Sequence, residues 1–430
     1  MSLASDYQAV RKQSLEFCEP LAVEDFGLQR DAFVSPPKWH LAHTSWFFET
    51  FLLQPFLPQY RALDERYEYL FNSYYNAVGE QFPRASRALL SRPTVAEVRE
   101  YRAHVDHHMA RLLALENHPD WQLIGQRTLL GIQHEKQHQE LFFTDLKYSL
   151  EMNPLAPVLW PGQALSAETS ARPPAAGWRH FEGGLVEVGY AGDGFCFDNE
   201  LPRHRYYLEA FSLADRLVTN GEYLEFVLAG GYQHSEWWLS DGWAAVQEMQ
   251  WTAPQYWRRR DGEFLEFTLH GLEPLNPALP VCHVSAYEAD AYARWAGARL
   301  PAEQEWEWAA TLARSGSVPE TPAAGVAHYH PSAAPDTGSL RQLFGECWQW
   351  TASAYGAYPG YRPAAGAIGE YNGKFMSNQL VLRGGSCVTP AEHARTSYRN
   401  FFYPRDRWQF SGIRLARSDE AARPQPGFSK

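Results

Sequence analysis

"GIQHEKQHQEL", residues 131–141, contains His134-Glu135-Lys136-Gln137-His138, a literal H-E-x-x-H. On a helix, residues four apart stack on one face, so the two imidazoles reach a single cation. The surrounding window, about Asp120 to Met152, reads as one long amphipathic helix with Asp120 as N-cap behind Pro119. Leu130, His134, Gln137, His138, Leu141 and Asp145 share one stripe of that helix. Two histidines in a buried stripe are costly unless bound to something. The spacing therefore predicts a metal-binding helix, with a hydrogen-bonded pair of core histidines as the alternative. A zinc protease would use Glu135 as general base beside a metal-bound water, yet nothing downstream supplies an extended zinc motif. The pattern is necessary for a protease and not sufficient.

Working outward, the first 150 residues read mostly as helix. One helix is expected from about Tyr7 to Cys18. A second opens at "SPPKWHLAHTSWFFETFLL", where Ser35 caps and the prolines suit a first turn. A third starts with the capping box Thr94-Val95-Ala96-Glu97. With the helix of the opening motif these make a four-helix bundle, an architecture that builds metal sites from facing helices. The insertion at residues 55–93, rich in Tyr, Arg and Pro, is too long for a simple bundle connection and reads as a functional loop.

Residues 153–178, "NPLAPVLWPGQALSAETSARPPAAGW", read as a linker. Beyond them, short β-type runs such as "GGLVEVGY" and "RYYLEAFSLA" alternate with Gly-rich turns and a few helical windows such as "SAYEADAYARWAG". The reading is α+β: a bundle over residues 1–152, the linker, a second domain over 179–420 and a tail over 421–430.

The 430 residues suffice for two or three domains with real cores. Aromatic residues make up 15% of the chain, enough for wide ring-lined surfaces. A formal charge of −12 without any basic run argues against nucleic acid and anionic membranes as partners. No apolar stretch approaches the roughly 18 residues of a membrane span, and "MSLASDYQAVRKQ" lacks an apolar signal core, so a cytoplasmic location is expected. Cys18, Cys196, Cys282, Cys347 and Cys387 are scattered without a CxxC, as befits reduced thiols.

A catalytic metal site usually takes three protein ligands and keeps other positions open. His40 and His43 on the second helix, and His104, His107 and His108 on the third, all qualify by residue type, and spacing alone does not choose among them.

The pair "HLAHTSWFFETFLL" and "GIQHEKQHQELFFTDLKY" resembles the DinB-type bundle of the ergothioneine-pathway sulfoxide synthases (EgtB-like). In the second domain, "FEGGLVEVGY", "PVCHVSAYEADAYARWAGARLPAEQEWEWAA", "GECWQWTASAY", "VLRGGSC" and "FSGIRLAR" resemble the formylglycine-generating-enzyme domain, a C-type-lectin-like fold. The resemblance covers nearly the whole chain, in the right order, and turns the reading away from a protease. Formylglycine-generating enzymes use a close cysteine pair; here Cys387 has no sequence neighbour of that kind and is expected to be a packed thiol.

The resemblance implies His43, His134 and His138 as ligands of Fe(II), which three neutral imidazoles suit. It implies oxygen-dependent joining of cysteine to C2 of the imidazole of Nα-trimethylhistidine (hercynine), with the sulfur emerging as a sulfoxide. Tyr74 and Tyr75 are the favoured proton or electron donors, and Tyr371 stands for a branch that draws its tyrosine from the other domain. Arg84 and Arg87 match the family's R-x-x-R for holding the amino-acid thiol, as an arginine fork holds a carboxylate. Gln137 and Asn400 are implied contacts of hercynine, with Phe401 and Phe402 lining the pocket. An apolar ring at Phe402, where a relative accepting γ-glutamylcysteine carries an acidic residue, favours free cysteine. Rivals are a selenoneine-forming relative, an OvoA-like enzyme joining at C5, and a non-catalytic binding module.

Overall fold

The computed structural model describes residues 2–161, 175–315, 329–336 and 340–418. Residues 162–174 of the expected linker, and the whole tail 421–430, lie outside the described residues. The chain divides into two compact units. The first comprises Met1–Pro161 together with Leu269–Gly271 and Ala364–Tyr371, and the second takes the remainder.

The first unit is built on α1 (Leu3–Glu16), α2 (Pro37–Phe48), the short α3 (Tyr67–Phe71), α4 (Val95–Leu113) and α5 (Trp121–Leu150). Every residue of α2 except Lys38 is buried, as expected of a helix that is apolar nearly all round. It packs against both α4 and α5, while α1 lies on α5. α2 then widens into a π-helical turn, Glu49–Leu53, a feature that often accompanies functional sites. Gly131 lets α5 approach α2, because a Cβ there would stand 2.4 Å from the Phe48 ring.

The ends of these helices follow the sequence unevenly. Thr94 and Glu97 form the expected reciprocal box, with Glu97 N–H donating to Thr94 Oγ1 at 3.2 Å and Thr94 N–H to Glu97 Oε2 at 2.6 Å. Helix α1 starts and stops earlier than expected because Ser2 caps it. Ser35 does not cap α2: the N-cap position falls on Pro36, Trp39 N–H turns back to the Pro36 carbonyl at 2.9 Å, and the Ser35 hydroxyl serves Arg87. Asp120 stands at the N-cap of α5 without a side-chain capping bond.

A buried polar network ties the four long helices together. Glu135 on α5 accepts from Arg11 Nη1 at 3.0 Å, from Ser14 Oγ at 2.6 Å and from Arg102 Nη2. Arg11 also donates to Ser45 on α2 at 2.8 Å and to Asp106 on α4 at 2.6 Å. Burial alone would raise the Glu135 carboxyl, but the Arg102 and Arg11 guanidiniums outweigh it and hold the group below the usual carboxylate range.

The second unit is α+β. Strands β1 (Trp178–Phe181), β4 (Phe211–Ala214) and β12 (Ala416–Ser418) form one antiparallel sheet, with Phe181 facing Phe211 in register. β2 (Gly184–Val188) pairs with β3 (His204–Leu208), and β5 (Trp257–Arg260), β6 (Glu263–Thr268) and β7 (Gly271–Pro274) make a third sheet. The fourth has the order β10-β9-β8-β11, from β8 (Trp348–Ala354), β9 (Leu380–Arg383), β10 (Asn400–Phe402) and β11 (Ser411–Gly412). Helices α6 (Asn220–Leu228), α7 (Ser240–Met249), α8 (Ala286–Trp295) and α9 (Glu303–Ser315) complete it. Phe181, Val186, Leu208, Phe211, Leu213 and Trp306 share one apolar core.

Three of the sequence motifs meet at one buried amide in this unit. Gln349 of "GECWQW" accepts from Trp306 Nε1 and from Arg414 Nε of "FSGIRLAR", both at 2.7 Å, and donates to the Leu343 carbonyl at 2.7 Å. Gly384 of "RGGSC", at φ +102°, passes so close that a Cβ would stand 2.4 Å from the Leu343 carbonyl oxygen. Cys387 is buried, and all five cysteines are free thiols. No helix among the described residues is long and apolar enough to cross a membrane.

Candidate metal centre

Facing stripes of α2 and α5 bring His43, His134 and His138 together, with one ligating atom of each within 4.8 Å of the others. All three are buried. Among the described residues they are the one group of three or more His, Cys, Asp or Glu side chains with this geometry. His43 Nδ1–H donates to the Phe71 carbonyl at 2.6 Å, which leaves Nε2 as a lone pair facing His134 Nε2 at 3.3 Å. His134 Nδ1 is buried and makes no hydrogen bond within the described residues. The Nε2 atoms of His43 and His134, by contrast, face each other in the buried interior at 3.3 Å, and a cation shared by the rings compensates their desolvation.

Electrostatics point the same way. Burial pushes His134 down to about 3, and burial followed by the neighbouring imidazoles pushes His43 and His138 well below the ordinary histidine range. Three neutral rings with lone pairs turned inward present a soft-to-borderline donor set without charge. The residues present thus fit a divalent transition metal.

The H-E-x-x-H reading is decided by Glu135. Its carboxylate is occupied by Arg11, Arg102 and Ser14 in the interhelical network and is not available as a general base for a metal-bound water. The motif is half ligand and half tie-bar.

Around the histidines the structure places the other sequence candidates unequally. Arg87 is buried, donates through Nη1 to Ser35 Oγ at 2.8 Å, and keeps Nε and Nη2 without a hydrogen bond among the described residues. Burial, with Arg84 nearby, pushes its guanidinium down to about 8. Its Cζ lies 3.4 Å from the Trp39 ring centre, and Trp39 in turn stacks on His43 at 4.5 Å and 11°. Arg84 is exposed and donates to the Phe33 carbonyl. Tyr74 and Tyr75 stack at 4.6 Å; Tyr75 is fully buried, its ring 5.5 Å from Trp46.

Two features were not foreseen. The segment Ala364–Tyr371 belongs to the bundle unit: Glu370 accepts from the N–H groups of Asn76 and Ala77 at 3.0 and 2.8 Å, the Tyr371 hydroxyl donates to Gln137 Oε1, and the Tyr371 ring lies 5.7 Å from His134. Burial first, then the proximity of Tyr74 and Tyr371, pushes the Tyr75 phenol well above its ordinary range. The two tyrosine sources that the sequence offered as alternatives therefore converge. His40, one of five histidines left undecided as a third ligand, instead sits behind His138, Nδ1 to Nδ1 at 2.9 Å. His104 and His108 are elsewhere on α4, with their rings against Tyr60.

In the second unit, Asn400, Phe401 and Phe402 form β10, paired with β9. Asn400 Oδ1 accepts from Phe401 N–H at 2.9 Å, Phe401 stacks on Tyr355 at 4.0 Å and 11°, and Phe402 meets Trp408 edge-on.

Comparison with known proteins places the two units. Residues 6–142 match the DinB superfamily, and residues 164–321 and 319–419 match the sulfatase-modifying factor enzyme 1-like domain. The chain is 33% identical to the hercynine oxygenase of Mycolicibacterium thermoresistibile, covering 93% of this chain and 91% of that protein. It is 33% identical to the hercynine oxygenase of Mycobacterium tuberculosis, covering 90% and 92%. It is also 28% identical to ergothioneine biosynthesis protein 1 of Schizosaccharomyces pombe, over 52% of this chain and 28% of that one. With a third of its residues shared along almost the full length of the two mycobacterial hercynine oxygenases, and a three-histidine centre in a DinB-type bundle, the chain belongs to the hercynine oxygenase family.

Proposed function

We propose that this protein is a non-haem iron(II) sulfoxide synthase that joins cysteine to C2 of the hercynine imidazole with dioxygen, giving hercynylcysteine sulfoxide. The observation that carries the reading is the inward-facing trio His43, His134 and His138. In this reading they hold Fe(II), which when bound supplies dioxygen activation and a common point for both organic substrates. Three neutral imidazoles would bring no negative charge of their own to a bound cation.

The chain's own groups do the rest. Arg87, with two guanidinium nitrogens that have no hydrogen bond among the described residues, receives the carboxylate of cysteine. Arg84, three residues away and exposed, is the outer partner of that fork. Gln137 orients the hercynine imidazole, and its contact with Tyr371 links that substrate to the tyrosine group. Asn400, Phe401 and Phe402 are the further hercynine contacts in this reading, and the apolar Phe402 selects free cysteine over γ-glutamylcysteine. Tyr74 and Tyr75 supply the proton or electron. A second assignment, Tyr371, is favoured by its hydroxyl reaching Gln137. Holding both reactants on one centre converts a rare encounter into a positioned one. The protein works in the cytoplasm on small-molecule substrates, with a bundle domain at residues 1–152, joined by Ala364–Tyr371, and a second domain within residues 179–420.

The test is mass spectrometry of the product formed under air from ferrous protein, cysteine and hercynine. The expected product is the C2-linked sulfoxide. Absence of product with cysteine but turnover with γ-glutamylcysteine or a selenosugar would change the donor; absence with all three would remove the activity. Single Tyr74→Phe, Tyr75→Phe and Tyr371→Phe variants then assign the donor, which is the one whose loss lowers the sulfoxide yield most at unchanged iron content.

A further inference from the structure

We infer that His40 and Asp145 act as a positioning pair that fixes the tautomer of His138 and aims its Nε2 at the metal. The inference rests on the three-histidine reading above and goes beyond its ligand set. His40 Nδ1 stands 2.9 Å from His138 Nδ1, and His40 Nε2 stands 3.2 Å from Asp145 Oδ2. All three groups are buried, at 4%, 9% and 3% exposure, so solvent does not substitute for these contacts.

With Asp145 as a carboxylate and both imidazoles neutral, one arrangement of protons satisfies the row. An ionised Asp145 accepts and does not donate, so His40 carries its proton on Nε2. His40 Nδ1 is then an acceptor, so the proton between the rings belongs to His138 Nδ1. His138 Nε2 is left as the free lone pair. The carboxylate thus sets the tautomer of a ligand two bonds away, with an imidazole inserted where a metal-bound histidine more often meets the carboxylate directly.

The Asp145 oxygen that meets His40 also accepts from Ser35 N–H at 2.8 Å, and the Ser35 hydroxyl receives Arg87 at 2.8 Å. One row of hydrogen bonds therefore runs from a metal ligand to the buried arginine. The other two ligands are treated differently. A backbone carbonyl fixes His43, and His134 Nδ1 has no partner among the described residues. His138 is the one ligand of the three whose orientation depends on a charged side chain.

The test begins on the intact protein loaded with Zn(II). Nitrogen-15 correlation spectra of the histidine rings should show the proton on Nδ1 of His138 and on Nε2 of His40; protons on the opposite nitrogens would overturn the inference. Variants follow. His40→Leu and Asp145→Asn should weaken Fe(II) binding about 10- to 100-fold, and should change the ligand-field spectrum of the Co(II)-loaded protein, while the metal-free melting temperature stays near that of the parent. His40→Gln, which keeps an acceptor for His138, should lose less. Unchanged Fe(II) affinity and an unchanged Co(II) spectrum in a folded variant sinks the proposal. If His40→Leu fails to fold, His40→Gln and the tautomer assignment decide it. Failure of the parent itself to take up one Co(II) would instead strike the metal-site reading.

Discussion

His134 and Glu135 are neighbours in sequence, buried on the same turn of α5, and their surroundings are opposite. Glu135 is surrounded by donors from α1 and α4 that satisfy it completely. His134 turns Nε2 toward His43, packs against His138, and is held neutral by burial. One face is closed on itself and the other is complete only with an added cation. Stability resides in the first and function in the second, which explains how a marginally stable interior accommodates three buried histidines.

The comparison breaks first at the ligands. His43→Ala should abolish iron retention and sulfoxide formation, with metal content and product measured on the same sample, while leaving metal-free stability near the parent's. The opposite pattern is expected next door. Glu135→Gln leaves buried Arg102 without its carboxylate partner and Arg11 with Asp106 alone, and should cost about 3–5 kcal/mol of unfolding free energy in urea. Equal losses of metal-free stability in both variants would erase the distinction between the faces.

Gly131→Ala sharpens it. The added methyl meets the Phe48 ring, so overpacking should cost about 1–3 kcal/mol, read as a lower denaturation midpoint. Because α2 and α5 are pushed apart, iron affinity should fall with it.

The two faces also differ in their response to pH. A histidine held well below its ordinary value stays neutral in the fold but takes up a proton when the chain unfolds. The unfolded state therefore binds more protons below about 6.5, and metal-free stability is present above that pH and falls as pH drops toward the folded value, about 3 for His134. Each such histidine contributes a slope of about 1.4 kcal/mol per pH unit in that window. Glu135, also held low, has its stabilisation in place above the ordinary carboxylate value and loses it only in stronger acid. Urea midpoints across pH 7 to 4 should show the histidine loss first, and His134→Ala should make it shallower, since His43 and His138 keep their share.

How far the sequence carried this reading depended on periodicity. The i, i+4 histidines, the Thr94 box and the long fourth helix are local signals, and the structure keeps all three. His43 needed family resemblance, because choosing among five histidines requires knowing which face of α2 meets α5. Glu135 misled as part of a metal-protease motif, since its partners Arg11 and Arg102 lie 124 and 33 residues away. The addition of Ala364–Tyr371 to the bundle unit is a pairing of distant segments with no local pattern to announce it. Ser35 looked like a cap because hydroxyls before prolines usually are, whereas here Arg87 engages it.

Trp39 and Trp46 lie four before and three after His43 on α2, and their indoles are near-parallel to its ring at 4.5 Å and 5.4 Å. An imidazole clamped between two flat plates has almost no freedom to swivel. The incoming ion therefore meets a jaw that is already set. Loading should be quick and intolerant of ions too large for the fixed gap, a selectivity written into the helix before any metal arrives.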